Sequence, residues 1–328
     1  MTHADLCAPI AVTTRSGMRE SLHHGTVVAL DNDGSVAFSV GDPSVVTYPR
    51  SANKPMQAVA MVDAGLQLPG ELLALVCASH DGTPYHRDIA SRILAGAGLD
   101  ASALQNTPDL PIDRVSADAI IRADGGPTSL QQNCSGKHSG MVATCVINGW
   151  SLDGYLDVSH PLQQVITATI QAMADEPITQ IGIDGCGAPA HAMSLLGLAR
   201  SFRSIAIAPT DSPNGQVYAA MTGYPLTVGG NHRDVTQFIR HVPGLIAKDG
   251  AEGVFAAALP DGRTVAMKVA DGASRAVPAV MVHALQRLGV DVRTLDPLVR
   301  KQILGHGAQV GHVESIAQFI VAAAGGRA

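Results

Sequence analysis

The stretch YPRSANKPMQAVAMVDAGL, residues 48–66, is where the pattern of the chain changes. Residues 24–47, HGTVVALDNDGSVAFSVGDPSVVT, read as a hairpin. Val27, Val28 and Leu30 make one strand, Val36, Phe38 and Val40 alternate on the next, and DNDG is the turn between them. YPRSANKP then breaks the strand pattern and a helix begins. Beyond it the spacing of apolar residues, with Gly, Pro, Asp and Ser as caps and breakers, predicts helices over roughly 55–65, 69–79, 86–97, 115–122, 138–148 and 159–174. Near the other end GVFAAALPDGRTVAMKVADG is a second hairpin: Val254, Phe255 and Ala257 rise to a PDG turn, and Thr264, Val265 and Met267 return. Helices follow at about 277–288 and 314–324.

Strands at both chain ends with helices between imply an α/β protein of the α+β kind. One antiparallel sheet is assembled from the N- and C-terminal strands, with a mostly helical subregion over roughly 55–225 packed on it. No repeat, low-complexity tract or linker interrupts the chain, so residues 1–328 read as a single domain.

Composition narrows the class. The 328 residues are 46% hydrophobic and 15% charged, enough for a substantial core. Net charge is −6 with scattered basic residues, which argues against a nucleic-acid partner. No apolar run approaches the roughly 18 residues of a membrane span. The start, MTHADLCAPIAV, lacks a basic segment followed by a long apolar one, and the five cysteines are an odd number, so the expectation is a cytoplasmic protein with reduced thiols. Aromatic residues are only 3%, so small side chains must fill the core, as in a compact enzyme.

Ser51 and Lys54 stand at i and i+3 where the helix starts, on one face. A serine hydroxyl needs an adjacent base, and a neutral amine can serve. Alone, the pair reads as a helix start with a capping serine. Two further elements bear on it. CASHDGTPYHR, residues 77–87, ends an apolar helix in Ser79-His80-Asp81-Gly82; its bland reading is a helix C-cap and loop. AMKVADG places Lys268 on the last strand of the terminal hairpin, facing away from Met267 and Val269; its bland reading is a solvated strand face. In order, the three elements resemble loosely the S-x-x-K, S-D-N and K-T-G layout of serine penicilloyl transferases.

LQQNCSGKHSGMVATC, residues 130–145, packs Cys134, Lys137 and His138 into five residues. Fifty residues on, GIDGCGAPAH brings Asp184, Cys186 and His191 among glycines. Two such cysteines beside an amine and an imidazole suggest a soft divalent-metal site, zinc above others, with His138 the ligand that residue chemistry favours. A Cys134 thiolate nucleophile with His138 as base is a competing active reading, and buried structural thiols the passive one. Cys77 and Cys145 lie in apolar runs and read as core, Cys7 as a frayed terminus, and His80, His86, His191 and His232 as packing or surface residues.

The segments YPRSANKP, CASHDGTPYH, NCSGKHSGM, GIDGCGAPAH and AMKVADGASRA, in that order over almost the whole chain, resemble those of the rhizobial-type L-asparaginases, the asparaginase II family or class 3. That family is similar in fold to serine glutaminases and serine β-lactamases. The resemblance implies hydrolysis of L-asparagine to L-aspartate and ammonia through a β-aspartyl ester. Ser51 would be the nucleophile with Lys54 its base, and Ser79 and Lys268 a second serine–lysine pair. Cys134, Lys137 and Cys186 would hold a zinc ion not strictly required for catalysis, and His138 and Asp184 would orient the substrate. A homodimer is also implied. Where other members carry a further cysteine, near AKDGAEGV, this chain has Asp249 and Gly250. A glutaminase, a β-lactamase-like acyl hydrolase and a zinc-dependent amidohydrolase are the alternatives.

Overall fold

The computed structural model describes residues 6–295, 298 and 300–321. Along the chain come β1 (Ala8–Arg15), β2 (Met18–Leu30), β3 (Val36–Val40) and β4 (Val46–Thr47), then α1 (Lys54–Asp63), α2 (Gly70–Val76), α3 (Pro84–Gly96), α4 (Arg114–Arg122), α5 (Ser135–Asn148) and α6 (Pro161–Ala174). After them come β5 (Ile181–Ile183), β6 (Pro189–His191), β7 (Met193–Ser194), α7 (Leu195–Ala206), α8 (Pro213–Gly223), α9 (Pro225–Val228) and α10 (Asp234–His241). The chain ends with β8 (Ile246–Gly250), β9 (Val254–Ala258), β10 (Thr264–Val269), α11 (Val277–Arg287), β11 (Lys301–Gly305), β12 (Ala308–Ser315) and β13 (Ile320–Val321). Two compact units result. One takes the described parts of Met1–Ala52, Met193–Ile207 and Gln237–Ala328; the other takes Asn53–Ala192 and Ala208–Thr236.

The first unit is built on an antiparallel sheet of order β11-β12-β1-β2-β10-β9-β8. The long β2 carries it: its Val27–Leu30 end pairs β3 in the expected hairpin, and its other edge pairs β10 from Thr264↔Leu30 to Val269↔Gly25. The second expected hairpin is β9–β10, in register from Thr264↔Ala258 to Lys268↔Val254. Strands of the N- and C-terminal segments thus share one sheet. β10 is buried along its whole length, which removes the bland alternative of a solvated face for Lys268; the residue is 8% exposed. The helix expected at 314–324 is also corrected. Val313, Glu314 and Ser315 end β12 and pair with Thr13, Val12 and Ala11, while Ile320 and Val321 pair with Ser39 and Phe38. Residues 322–324 lie outside the described residues. An apolar run beside open strand edges takes up backbone hydrogen bonds there, and tertiary pairing overrides local propensity.

The second unit is mainly helical; against the subregion expected over 55–225 it leaves α7 to the sheet unit and runs on to Thr236. Nearly every residue of α1 is buried, Lys54 included, which marks an interior helix. α5 begins at Ser135, three residues before the expected start, so Lys137 and His138 fall in its first turn with Cys134 as N-cap. α5 lies against α2 so closely that a Cβ on Gly136 would collide with the Leu75 carbonyl, and one on Gly140 would lie 2.9 Å from Val76. This approach sets the start of α5 beside the segment that leaves α2. Apolar side chains such as Met56, Met61, Leu75, Ile93, Val142 and Ile166 are fully buried around these helices, each contributing roughly 1.5–3 kcal/mol. Among the described residues no helix is long and apolar enough to cross a membrane.

Candidate active site

In the sheet unit, Ser51 lies in a 3-10 turn over Arg50–Asn53, two residues before the N-cap of α1. The cap is Asn53, without a side-chain capping bond, so the capping-serine reading is excluded. Arg50 has φ +53°, a left-handed conformation uncommon outside glycine, which turns the chain sharply just before Ser51. The Ala52 N–H closes the turn on Pro49 O at 3.0 Å. β8 passes directly behind: a Cβ on Gly250 would collide with the Pro49 carbonyl, so glycine there lets the strand back the serine turn. Ser51 itself is partly exposed. Lys268, in the same unit, donates from Nζ to Glu252 O and Val269 O, both at 2.6 Å. Burial lowers the pKa of this ammonium, against the pull of Glu252 and other acidic neighbours.

In the helical unit, Lys54 is 1% exposed. Its Nζ donates to Ala78 O at 2.6 Å and to Ser79 Oγ at 3.0 Å. Ser79 is held from two sides. Backbone bonds run from Ser79 N–H to Val228 O (3.2 Å) and from Asp81 N–H to Gly229 O (2.8 Å). Arg233 adds a donor to Asp81 Oδ1 at 3.2 Å and a long one to Ser79 O at 3.5 Å. Gly230, at φ +147°, presents its Cα where the Asp81 carboxylate leaves no room for a Cβ. On the other side His80 N–H donates to Asn133 O at 3.2 Å, and the His80 ring joins Ser135 Oγ at 3.0 Å, tying the Ser79 loop to the start of α5.

That start carries the cysteine cluster. Cys134 and Cys186 pack together with Ala188, against Leu156. Cys186 sits at the tip of the β5–β6 hairpin. The hairpin closes through Asp184 N–H to Ala188 O (2.9 Å) and Gly187 N–H to Asp184 O (2.8 Å), with Gly187 left-handed at φ +87°. Lys137 Nζ donates to Cys186 Sγ at 3.1 Å. Cys134 Sγ donates to Asn133 Oδ1 at 3.3 Å. The pairing with Cys186, with help from Lys54 and Lys137, holds Cys134 well below the usual thiol range, and the same pairing together with burial pushes Cys186 above it. Burial opposes the charge of Lys137, but Cys186, Cys134 and Asp184 outweigh it and raise its pKa. His138 is fully buried, and burial followed by the charges of Lys137 and Lys54 keeps its pKa well below the ordinary value.

The structure therefore gathers Lys54, Ser79, Cys134, Lys137, His138 and Cys186, with Asp184 forming the turn beneath Cys186. Among the described residues no group of three His, Cys, Asp or Glu side chains stands together as a metal site. The donors that do meet are two thiols and an amine. Sulfur and nitrogen donors in a buried cluster fit zinc chemistry, provided Lys137 gives up its proton. Sequence reasoning missed Arg233, Gly230 and Tyr155, whose hydroxyl lies 2.9 Å from His138 Nδ1. The first two lie in VGGNHRD, whose glycines were its one visible signal, and Tyr155 stood alone in a bland loop.

The profile of the family described as L-asparaginase II matches residues 11–315. No curated relative matches the chain. Similar solved structures include a β-lactamase from Mycobacterium bovis, with 14% identity, 80% of this chain and 94% of that one covered, and a TM-score of 0.45. Another is a Bacillus glutaminase, with 12% identity, 82% and 92% covered, and a TM-score of 0.35.

Proposed function

Because the chain belongs to the L-asparaginase II family, a family of amide hydrolases, we propose that this enzyme converts L-asparagine to L-aspartate and ammonia at a serine–lysine centre. The observation that carries the reading is the buried Lys54 Nζ donating to the Ser79 hydroxyl, in the first turn of the helix that Ser51 leads into.

In the proposed reaction Ser51 Oγ attacks the side-chain carboxamide carbon while the neutral amine of Lys54 accepts its proton. The Ala52 N–H is committed to Pro49 O, so we assign the Ser51 N–H to the oxyanion. The C–N bond breaks as the leaving nitrogen takes a proton, through Ser79 and Lys268, and departs as ammonia. Water then adds to the β-aspartyl ester and releases aspartate and Ser51. Support for Lys268 is the direction of its pKa, which burial lowers. His138 and Asp184 orient the substrate.

Cys134, Lys137 and Cys186 would hold zinc. When bound, the ion supplies a Lewis acid that polarises or orients a substrate oxygen. The homodimer and the cytoplasmic location rest on the resemblance and the thiol count alone.

Ammonia release from L-asparagine and L-glutamine by purified protein, with Ser51→Ala beside it, tests the proposal. Turnover of asparagine that vanishes in a folded Ser51→Ala variant is expected; normal turnover in that variant sinks it. A second reading is a Cys134 thiolate nucleophile: the thiol packs against Cys186, which Lys137 Nζ meets at 3.1 Å. Activity lost in Cys134→Ala but kept in Ser51→Ala would select it.

A further inference from the structure

A row of paired residues leads from the serine turn to Lys268 across one face of the sheet. Gly250 of β8 pairs with Val254 of β9, and Val254 pairs with Lys268 of β10. Residues directly opposite each other on antiparallel strands share a face. A Cβ on Gly250 would run into the Pro49 carbonyl, so this face is the one against which the Ser51 turn rests. Lys268 therefore stands on the Ser51 side of the sheet. Its amine is tied to the tip of the β8–β9 hairpin, where Nζ donates to Glu252 O at 2.6 Å.

Glutamate is an unexpected residue for that tip. Glu252 has φ +61°, in the left-handed region, and Gly253 follows at +67°. Glycine takes this conformation freely, and asparagine or aspartate adopts it more readily than glutamate. A glycine at 252 would form the same turn and offer Lys268 the same carbonyl. The side chain is thus kept at a cost to the fold, and strain of this kind gathers at functional positions. What the side chain supplies is an uncommitted anion. Glu252 is exposed, and among the described residues its carboxylate makes no hydrogen bond or ion pair. The carboxylate lies over the turn that leaves β10: a Cβ on Gly272, itself left-handed at φ +80°, would collide with Glu252 Oε2. Asp271, another acid near Lys268, is already engaged. Its Oδ1 accepts the Ala273 N–H at 2.9 Å and its Oδ2 lies 3.6 Å from His23 Nδ1.

We propose that Glu252 is a specificity residue whose carboxylate binds the α-ammonium of the amino-acid amide held at Ser51. In L-asparagine only four covalent bonds separate the amide nitrogen from the α-nitrogen. The group that serves the leaving nitrogen and the group that reads the ammonium must then be neighbours, as Lys268 and Glu252 are through the Glu252 carbonyl. A free carboxylate and an ammonium form a charge-assisted hydrogen bond, and a substrate without the ammonium leaves that carboxylate unanswered. The role rests on the asparaginase reading and adds to it a demand for an amino group that amide hydrolysis alone does not make.

The test compares ammonia release from L-asparagine and from succinamate, which is asparagine without its α-amino group. The parent is expected to favour asparagine in kcat/KM. Glu252→Gln is expected to raise KM for asparagine about tenfold with kcat changed less, so that the preference over succinamate falls by about the same factor. Glu252→Gly keeps the left-handed turn and the carbonyl on Lys268. It is expected to show the same loss of preference together with a urea midpoint at or above that of the parent. Equal losses on the two amides would assign Glu252 to the support of Lys268 or of the fold and overturn the proposal. So would an unchanged KM for asparagine in Glu252→Gln, or a parent that treats the two amides alike. A parent that releases ammonia from neither amide would refute the asparaginase reading, and this role with it; asparagine turnover with an unchanged preference in both variants would refute the role alone.

Discussion

Lys54 donates a hydrogen bond to Ser79 across 3.0 Å, although 25 residues separate them. The lysine expected to serve Ser51 thus holds the second serine, with Ala78 O as its other acceptor. One buried amine therefore joins the start of α1 to the Ser79 loop. The proposed chemistry depends on its amine and not on its bulk. Lys54→Met preserves most of the aliphatic volume, so ammonia release is expected to fall by about 10²–10⁴-fold while circular dichroism stays native. Activity within a few-fold of the parent would remove Lys54 from the base role.

Arg233 and Asp81 offer a test of how the Ser79 loop is held. Removing the guanidinium frees Asp81 Oδ1 and weakens the grip on Ser79 O. Arg233→Gln is expected to lower kcat about tenfold, with Arg233→Lys recovering part of it. Adding Asp81→Asn to Arg233→Gln should cost less than the sum of the single effects, because the two residues act through one contact. Additive losses would show that they act separately.

The close approach of α5 to α2 predicts a large effect from one methyl group. Gly136→Ala drives a Cβ into the Leu75 carbonyl. Overpacking of this kind costs roughly 1–3 kcal/mol, to be read as a lower urea midpoint. The same shift moves Cys134 away from the Ser79 loop, so turnover should fall as well. A variant as stable as the parent would mean the helices separate freely at that point.

Metal content follows from the thiol pair. The purified protein is expected to carry about one zinc per chain, lost on Cys186→Ala, with chelator-treated protein keeping part of its activity. Plasma emission spectrometry that finds no stoichiometric metal, or the same amount after Cys186→Ala, would refute the zinc site.

His191 gives the helical unit a pH dependence. The residue is fully buried, its Nε2 is 2.8 Å from Thr167 Oγ1, and burial, with the charge of Lys137, lowers its pKa from 6.5 to about 4. The unfolded chain therefore binds the proton first. The stabilisation is complete above pH 6.5, is lost progressively as pH falls, and is gone below about pH 4. A shift of this size corresponds to roughly 3 kcal/mol. His191→Gln should remove that part of the acid sensitivity: between pH 7 and 4.5 its unfolding free energy should fall by about 2–3 kcal/mol less than that of the parent. Equal losses in both proteins would assign the acid sensitivity to other groups.

Much of the fold was legible locally. The DNDG and PDG turns fixed both hairpins, and the apolar period with its breakers found the helices from α1 to α6 within a few residues, because those signals are carried by neighbours in the chain. The strands β1, β8, β11 and β12 were not legible, since their pairing partners lie far away in sequence and nothing in AVTTR or AKDG announces which edge will accept them. The residue types of the candidate site were equally visible: a serine and lysine at a helix start, a serine after an apolar helix, a thiol–amine–imidazole turn and a glycine-framed cysteine.

By itself, then, the sequence determined two hairpins, a helical middle and the chemical inventory of the site, all properties of short segments. Only the tertiary structure decided that Asn53 and not Ser51 caps α1, that Lys268 is buried, and that Lys54 meets Ser79. It also decided that Lys137 turns to Cys186 while His138 turns to Tyr155. Those outcomes depend on which buried donor finds which acceptor once water is excluded, and that is settled by the packing of distant segments.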